Sequence, residues 1–173
     1  MRKTVLFLLI SFWCFAGMGQ GVEWVNVHSE KSKIKFKVPG QVQRDTSNMD
    51  GVKVEKFQYR DVANIFGVIA SDFSAVGIDF SKSDNQEFYE SMKQGSLVTS
   101  DAILVSEQTI AYKRMLGKEI KYTLLVKGKE YTYYKRFFFR GNFVYQVAIG
   151  GPTRMQNLLL DKKDLFFNSL EFE

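Results

Sequence analysis

The chain has 173 residues, of which 45% are hydrophobic and 25% are charged, and its formal net charge is +5. The length suits a single domain, and the composition is that of a globular protein and excludes a wholly disordered chain. The positive charge is too small to indicate nucleic-acid binding, which is typical of chains with a clustered basic surface.

Residues 1–19 have the layout of a secretory signal peptide. Two basic residues precede an apolar run over residues 4–16, and the small residues Gly17 and Gly19 stand at the −3 and −1 positions before Gln20. The apolar run is shorter than the roughly 20 residues that cross a bilayer. We therefore predict cleavage before Gln20, export to the periplasm or the extracellular space, and no stable membrane insertion of the mature chain.

Two alternatives to a cleaved signal stay open: an uncleaved membrane anchor, and a lipoprotein signal that attaches lipid at Cys14. The bulky Trp13 directly before Cys14 disfavours lipid attachment, because that position normally holds a small residue. The predicted mature chain, residues 20–173, forms one domain with 22 basic and 19 acidic residues and no cysteine. It therefore has no disulfide, and a domain of this size can bury enough surface without one.

Alternation of apolar and polar residues predicts the strands of the mature chain. We predict strands over residues 22–28, 33–38, 52–60, 63–73, 103–113, 118–127, 130–140 and 142–150. The polar segment 41–51 is predicted as a loop. Short connections between consecutive strands predict hairpins, and therefore an α+β domain in which helices pack on the faces of a mainly antiparallel sheet.

Two segments change to the helical period. The first helix is predicted over residues 83–97, with Ser83 as its N-cap and with Phe88 and Met92 on its inward face. Pro152 begins the second helix, because proline is tolerated in the first helical turn. The predicted inward stripe of the second helix comprises Met155, Leu158, Leu159, Lys162, Leu165 and Phe166.

Several motifs resemble those of PsbP-like proteins. Trp24 and Ser29 precede an alternating strand that ends in Pro39 and Gly40, as at the opening of that family. The later matches are residues 116–119 (LGKE), 136–139 (RFFF), 144–147 (VYQV) and 166–170 (FFNSL). The resemblance covers nearly all of the mature chain. It implies an α/β/α sandwich around an antiparallel sheet and implies no enzymatic activity; the family includes extrinsic subunits of photosystem II and many secreted bacterial members.

The sequence lacks the residue sets of common catalytic and metal sites. His28 is the single histidine and the mature chain has no cysteine, so neither a Ser-His-Asp triad nor a zinc site is indicated. Glu107, Glu119 and Glu130 lie in or beside predicted strands, which leaves hydrolysis by paired carboxylates open as an alternative. We predict no enzyme, no catalytic residue, no metal and no cofactor.

The last predicted hairpin is rich in aromatic residues, with eight in residues 131–145. A two-residue turn at Gly141 and Asn142 would pair Arg140 with Phe143, whereas a three-residue turn would pair Phe139 with Phe143. The three-residue turn is favoured because it sets apolar residues opposite apolar residues, and such cross-strand pairs stabilise a sheet. It places one aromatic face in the core, under a helix.

The other face of this hairpin then carries Tyr134, Arg136 and Arg140, which we predict as partner-binding residues because aromatics and arginine are enriched at interfaces. The predicted function is that of an exported non-enzymatic domain, which binds or stabilises a partner protein of the envelope or the extracellular space. The alternative is a small-ligand carrier that uses a cavity between the sheet and a helix. The sequence leaves the partner, the ligand and the oligomeric state open.

Overall fold

A computed structural model describes residues 23–82, 84–98 and 102–173 of the chain. The predicted signal peptide, its cleavage site and the predicted cap Ser83 lie outside the described residues. In chain order the strands are β1 Val25–Ser29, β2 Ile34–Val38, β3 Gln43–Met49, β4 Val52–Arg60, β5 Ile65–Asp72, β6 Ala102–Tyr112, β7 Met115–Val126, β8 Lys129–Arg140, β9 Phe143–Pro152 and β10 Glu171–Phe172. The helices are α1 Gln86–Ser96 and α2 Gln156–Asn168.

The strands form two sheets in which every pairing is antiparallel. Seven strands are ordered β3-β4-β5-β9-β8-β7-β6, and three more are ordered β1-β2-β10. Within each sheet most neighbouring strands are consecutive in the chain, but the short segment 39–42 leads from β2 in the small sheet to β3 in the large one. β5 pairs directly with β9, although α1 and the strands β6–β8 lie between them in sequence. The predicted mainly antiparallel α+β fold is confirmed.

The segment 41–51 contains a strand, so its prediction as a loop is wrong. β3 is the edge strand of the large sheet, and every residue in it is exposed. A strand without a buried face shows no apolar alternation, which is why the pattern was missed. Asp50 and Gly51 have φ of 52° and 89° and form a two-residue hairpin turn, for which Asp-Gly is a strong sequence signal.

The predicted register of the β8–β9 hairpin is also wrong. Gly141 and Asn142 form a two-residue turn, with Gly141 at φ 53° and Arg140 opposite Phe143. Glycine takes this left-handed conformation without a steric penalty. The rule that apolar residues pair with apolar residues across a hairpin failed here. The length of the turn decides the register, and the register decides which face of the sheet each residue of the two strands occupies.

The larger core cluster lies on the face that carries Phe138 and Tyr145, which are paired across β8 and β9. β2 and α2 cover this face: the ring of Phe166 in α2 lies 5.2 Å from that of Phe66 and 6.2 Å from that of Phe36, measured between centroids. Edge-to-face aromatic pairs at such distances stabilise a core beyond their buried area. The small sheet and α2 are thus joined to the large sheet by aromatic packing.

The opposite face of the large sheet packs against α1. Tyr89 of α1 lies 5.3 Å from Phe137 between ring centroids, in a second buried cluster with Ile120 and Tyr122. Of the two residues predicted on the inward face of α1, Met92 packs against this cluster, whereas Phe88 is partly exposed and its neighbour Tyr89 is the buried residue of the helix.

The predicted stripe of α2 is confirmed only in part. Leu159 and Phe166 are buried, but Leu158 and Leu165 are exposed, and Phe167 is buried instead. Residues 159, 166 and 167 follow the i, i+7, i+8 spacing of one helical face.

Two glycines on neighbouring strands provide a test of this packing. A Cβ added at Gly150 would lie 2.2 Å from the ring of Tyr133, which stacks on Tyr122 and so cannot swing aside freely, whereas a Cβ at Gly67 would meet nothing within 4 Å. Overpacking a core costs about 1–3 kcal/mol. We expect Gly150→Ala to lower the free energy of unfolding by about this amount in urea denaturation, and Gly67→Ala to leave it nearly unchanged. Equal losses in the two variants would contradict the packing described.

Candidate functional site

The residues predicted to bind a partner lie together on the face of the large sheet that packs against α2. Tyr134 is only 7% exposed, and its hydroxyl accepts a hydrogen bond of 3.3 Å from the Gln156 amide. Arg136 donates to Glu119 with its Nε 2.5 Å from Oε2, and its guanidinium carbon lies 4.1 Å from the centroid of the Phe167 ring. These two side chains therefore contribute to the attachment of α2 and β7 to the sheet.

Arg140 lies at the end of β8 and is exposed. Its guanidinium donates to the backbone carbonyl of Phe172, so it joins the short strand β10 to the large sheet. The register from which the three residues were selected is wrong, and the partner-binding role assigned to them stays a prediction. Of the three, Arg140 is the one that a partner can reach without displacing α2.

A buried carboxylate that the sequence analysis missed is the centre of a polar network. Glu55 on β4 is 5% exposed and accepts hydrogen bonds from the hydroxyls of Ser29 and Ser32, the latter at 2.5 Å. Arg44 on β3 donates its Nε to the other carboxylate oxygen, also at 2.5 Å. Burial raises the pKa of Glu55, but the hydrogen bonds from the two serines and Arg44 outweigh it and hold the pKa below its ordinary value. Glu55 is therefore ionised at neutral pH.

The position of Glu55 follows from the alternation of β4. Glu55, Phe57 and Tyr59 point to the core, and Val52 and Val54 point to the opposite face, where they are half-buried. Because side chains alternate along a strand, Glu55, two residues before the buried Phe57, lies on the same buried face. The hydrophobicity of the two valines concealed this signal.

The network connects the turn between β1 and β2 to the large sheet. The backbone N–H of Ser32 donates to the Ser29 hydroxyl at 3.2 Å, and the Tyr145 hydroxyl donates to the Ser32 carbonyl at 3.0 Å. Ser32 is therefore held through its side chain by Glu55 and through its backbone by Ser29 and Tyr145. The bond to Glu55 is of the stronger kind, because its acceptor is charged. This turn is rigidly placed above β4 and β5.

Beside the network lies a cavity of about 650 Å³ between this turn and the sheet. Thr46, Glu55, Lys53 and Asn48 face it from β3 and β4, where Thr46 pairs with Glu55 and Asn48 pairs with Lys53. The full lining is Lys31, Ser32, Thr46, Ser47, Asn48, Lys53, Val54, Glu55 and Asp72. The volume falls within the range of small-molecule sites, and most of the lining residues are polar, although apolar atoms form the larger part of the exposed lining.

A smaller cavity, about 360 Å³, lies between the start of α1 and the sheet. Tyr89 and Gln86 border it from the helix, and Leu116, Lys118 and Phe139 border it from β7 and β8. Burial and the nearby Glu107 carboxylate raise the pKa of Tyr89, so its hydroxyl stays protonated. This cavity lies in the place where the sequence analysis expected a ligand, between sheet and helix.

A half-buried amine lies near the last residue of α1. Lys135 on β8 donates to the Ser96 hydroxyl at 2.8 Å, at the last residue of the helix. Burial lowers the pKa of Lys135 to about 8. The negative end of the helix dipole favours a cation at this position, which partly offsets the cost of burial.

The edge of the large sheet at β6 carries exposed apolar side chains. Among the described residues β6 is the last strand of the sheet, so one row of its backbone N–H and C=O groups has no partner strand there. We define the β6 edge patch as the five exposed apolar residues at one end of β6 and β7, namely Ile103, Leu104, Val105, Leu125 and Val126. A bulge between Leu104 and Ser106 interrupts the pairing of β6 with β7.

The carboxylates that left hydrolysis open do not converge. Glu107 contacts Lys93 of α1 at 2.9 Å on one face of the sheet, and Glu119 contacts Arg136 on the other. His28 lies 3.3 Å from Glu173 on an exposed part of the small sheet.

In residues 23–82, 84–98 and 102–173, no group of three or more His, Cys, Asp or Glu side chains could hold a metal ion. Among the same residues, no helix has both the length and the apolar character needed to cross a bilayer.

The Glu55 network predicts a specific pH dependence. Because the pKa of Glu55 in the folded chain lies below its unfolded value, the carboxylate stabilises the fold at neutral pH, and this contribution is lost as the pH falls below about 4.5 and through the folded pKa. We expect Glu55→Gln to lower the free energy of unfolding by about 2–3 kcal/mol at neutral pH, and by much less near pH 3. Urea denaturation at both pH values measures this, with Glu30→Gln on the exposed turn as control; an equal loss at both values would contradict it.

Neither a comparison of the sequence with protein-family models nor one with curated proteins gives a match. Comparison of the fold with solved structures gives several. The solution structure of the cyanobacterial PsbP protein CyanoP from Synechocystis matches with a TM-score of 0.54 and 14% identity, over 90% of this chain and 96% of that one.

Two further structures have similar scores. LpqN, described as involved in cell envelope biogenesis of Mycobacterium tuberculosis, matches with a TM-score of 0.51 and 12% identity over 86% of this chain and 89% of that one. A protein from Bacteroides thetaiotaomicron matches with a TM-score of 0.51 and 15% identity over 86% of this chain, which spans 48% of the length of that protein. At these identities the likeness shows the fold alone: the chain has a fold like that of CyanoP and LpqN, in agreement with the fold that the motif resemblance implies.

Proposed function

We propose that the chain is an exported, non-enzymatic domain that binds and stabilises a partner protein at the cell envelope. The observation that carries the proposal is the β6 edge patch, where exposed apolar side chains adjoin an unpaired strand edge. Exposed apolar side chains gathered at one part of a surface commonly mark interaction sites, and here they project from both faces of the sheet, since Ile103 and Leu104 are consecutive residues of β6. The signal-like residues 1–19 and the fold shared with LpqN, a protein described as involved in cell envelope biogenesis, support the location.

The edge is suited to bind an extended segment of a partner. The free N–H and C=O groups of β6 can form main-chain hydrogen bonds with an added strand, and the patch gives alternate side chains of that strand an apolar contact. Lys127 and Lys129 lie at the turn next to Leu125 and Val126, so acidic residues flanking the partner segment would complement the local charge. The occupant we propose is therefore an extended apolar segment with acidic flanks.

We also infer that the helices and the sheet form the layers of an α/β/α sandwich. α1 contacts the face that carries Phe137, and α2 contacts the face that carries Arg136, its neighbour along the strand. With both faces of the sheet contacted by helices, its edges remain open to a partner, and of the two edge strands β6 carries the exposed apolar residues of the patch whereas β3 is mainly polar. Arg140 remains a predicted contact for a partner that approaches the opposite end of β8.

The absence of a catalytic role is part of the proposal. The only histidine in the sequence pairs with Glu173 on the surface, and the carboxylates Glu107 and Glu119 are neutralised by Lys93 and Arg136 on opposite faces of the sheet. General acid–base catalysis needs groups that reach the same reacting atoms. The positions of these groups support a binding role.

A charge placed in the β6 edge patch tests the proposed function. Ile103 is 65% exposed, so Ile103→Lys removes little core packing, and Leu165→Lys makes the same kind of change at a 58% exposed site on α2. We expect the wild-type chain and the Leu165 variant to retain the same envelope protein in affinity capture, and the Ile103 variant to retain at least about tenfold less, the loss expected for an interface anchor. Equal capture by both variants, or no specific capture by the wild type, would sink the proposal.

The cavity beside α1 favours a second candidate function, that of a small-ligand carrier. Its lining combines apolar and aromatic groups, Leu116, Tyr89 and Phe139, with the polar Gln86 and Lys118. We expect native mass spectrometry of gently purified protein to show a bound small molecule that is lost in Leu116→Asp. This leucine is exposed, so the variant should keep its fold. A wild-type protein that carries no adduct would rule out this candidate.

A further inference from the structure

We infer that the cavity between the β1–β2 turn and the large sheet is a binding site for a small anion that carries carboxylate or phosphate groups. This site is separate from the β6 edge patch and does not depend on the proposed function. The inference rests on the charges that the cavity leaves without a partner, on its hydrogen-bond donors and on the way its walls are held.

The two acidic groups in the lining already accept hydrogen bonds, Glu55 through both carboxylate oxygens and Asp72 through its Oδ1. Glu55 is paired with Arg44 and accepts from two serine hydroxyls. Asp72 accepts from the backbone N–H of Ser74 at 2.9 Å and from the Ser74 hydroxyl. A cationic ligand would have to compete with these contacts, so the carboxylates do not define the ligand.

The two lysines in the lining have no such partner. Lys31 extends from the turn and Lys53 from β4, and neither has a carboxylate within ion-pair distance in the part of the chain that the structure describes. They reach the cavity from its two walls, the turn and the sheet. Two ammonium groups on opposite walls can contact different oxygen atoms of one anion, which favours a ligand with more than one acidic oxygen.

Neutral donors complete the site. Asn48 accepts the backbone N–H of Gly51 at 3.1 Å with its Oδ1, which directs its amide N–H groups to other acceptors. The hydroxyls of Thr46 and Ser47 border the same cavity. Ammonium, amide and hydroxyl groups can all donate hydrogen bonds to an oxyanion. The two carboxylates beside them already accept hydrogen bonds, so the free groups of the cavity match an anionic ligand.

The walls are held in place before any ligand arrives. Ser32 at the edge of the cavity is bonded through its hydroxyl to Glu55 and through its carbonyl to Tyr145, so the turn that carries Lys31 is anchored to the sheet that carries Lys53. A site that is already formed avoids the entropy cost of ordering it on binding. Both lysines are exposed, so the cavity is open to solvent and a ligand can enter.

Binding of citrate and of inorganic phosphate to the purified full-length protein tests this inference, with glycerol as a neutral probe. We expect saturable binding of at least one anion in calorimetry, none of glycerol, and an affinity that falls as salt is added. Binding of citrate alone assigns the site to carboxylates, and binding of phosphate alone assigns it to phosphate groups. Lack of saturable binding by both anions would overturn the inference.

Matched lysine variants separate a local site from the general positive charge of the chain. We expect Lys31→Gln and Lys53→Gln each to weaken binding about tenfold, as expected for loss of a charge-assisted hydrogen bond. Lys56→Gln removes the same charge from the same strand but from its opposite face, and should leave the affinity unchanged. All three side chains are exposed, so the variants should fold, which circular dichroism checks. Equal effects of Lys53→Gln and Lys56→Gln would also overturn the inference.

Discussion

The two-residue turn at Gly141 and Asn142 is the constraint from which the arrangement of the large sheet follows. Gly141 at φ 53° leaves no spare residue in the hairpin, so Arg140 is opposite Phe143 and Phe138 is opposite Tyr145. Because side chains alternate along a strand, this pairing decides which aromatic rings face α2 and which face α1. It also turns the guanidinium of Arg136 toward the Phe167 ring, where it forms an ion pair with Glu119.

The buried polar groups of the chain connect elements that are distant in sequence. Glu55 joins β4 to β3 and to the β1–β2 turn, and Arg136 joins β8 to β7 and α2. Each carboxylate has a cation and additional donors, the condition under which a buried charge is tolerated. Since removal of one partner would leave the other charge buried, these networks specify how the small sheet and α2 dock on the large sheet.

Several features of the fold could be predicted from sequence because they depend on local pattern. The alternation in β2 and the length of β7 and β8 are visible in the residues themselves. The prediction that Pro152 begins the second helix is wrong, because Pro152 ends β9 and α2 begins at Gln156. β3 could not be recognised from apolar alternation, since all of its residues are exposed, although the Asp50-Gly51 turn marked its end. The register at Arg140 depended on the choice between a two-residue turn at Gly141 and Asn142 and a three-residue turn that also includes Arg140. The preference for apolar residues opposite apolar residues selected the three-residue turn, which is wrong.

The candidate sites were less accessible to sequence analysis, because each combines residues from separate elements. The cavity that carries Lys31 and Lys53 exists only because the β1–β2 turn docks over β4, and that docking depends on Glu55, a residue hidden between valines and aromatics. The β6 edge patch depends on the strand order, which places β6 last. Neither the docking nor the strand order follows from periodicity along a single segment.

The bulge between Leu104 and Ser106 has a consequence for how the chain behaves at high concentration. A flat edge strand with exposed apolar residues can template the addition of a second copy of itself, then a third, and so lead to fibrous aggregates. The bulge breaks the regular ladder within β6, so a second β6 cannot align with it along its whole length. The bulge thereby disfavours endless self-assembly, in which the β6 strands of many copies would have to pair along their whole length.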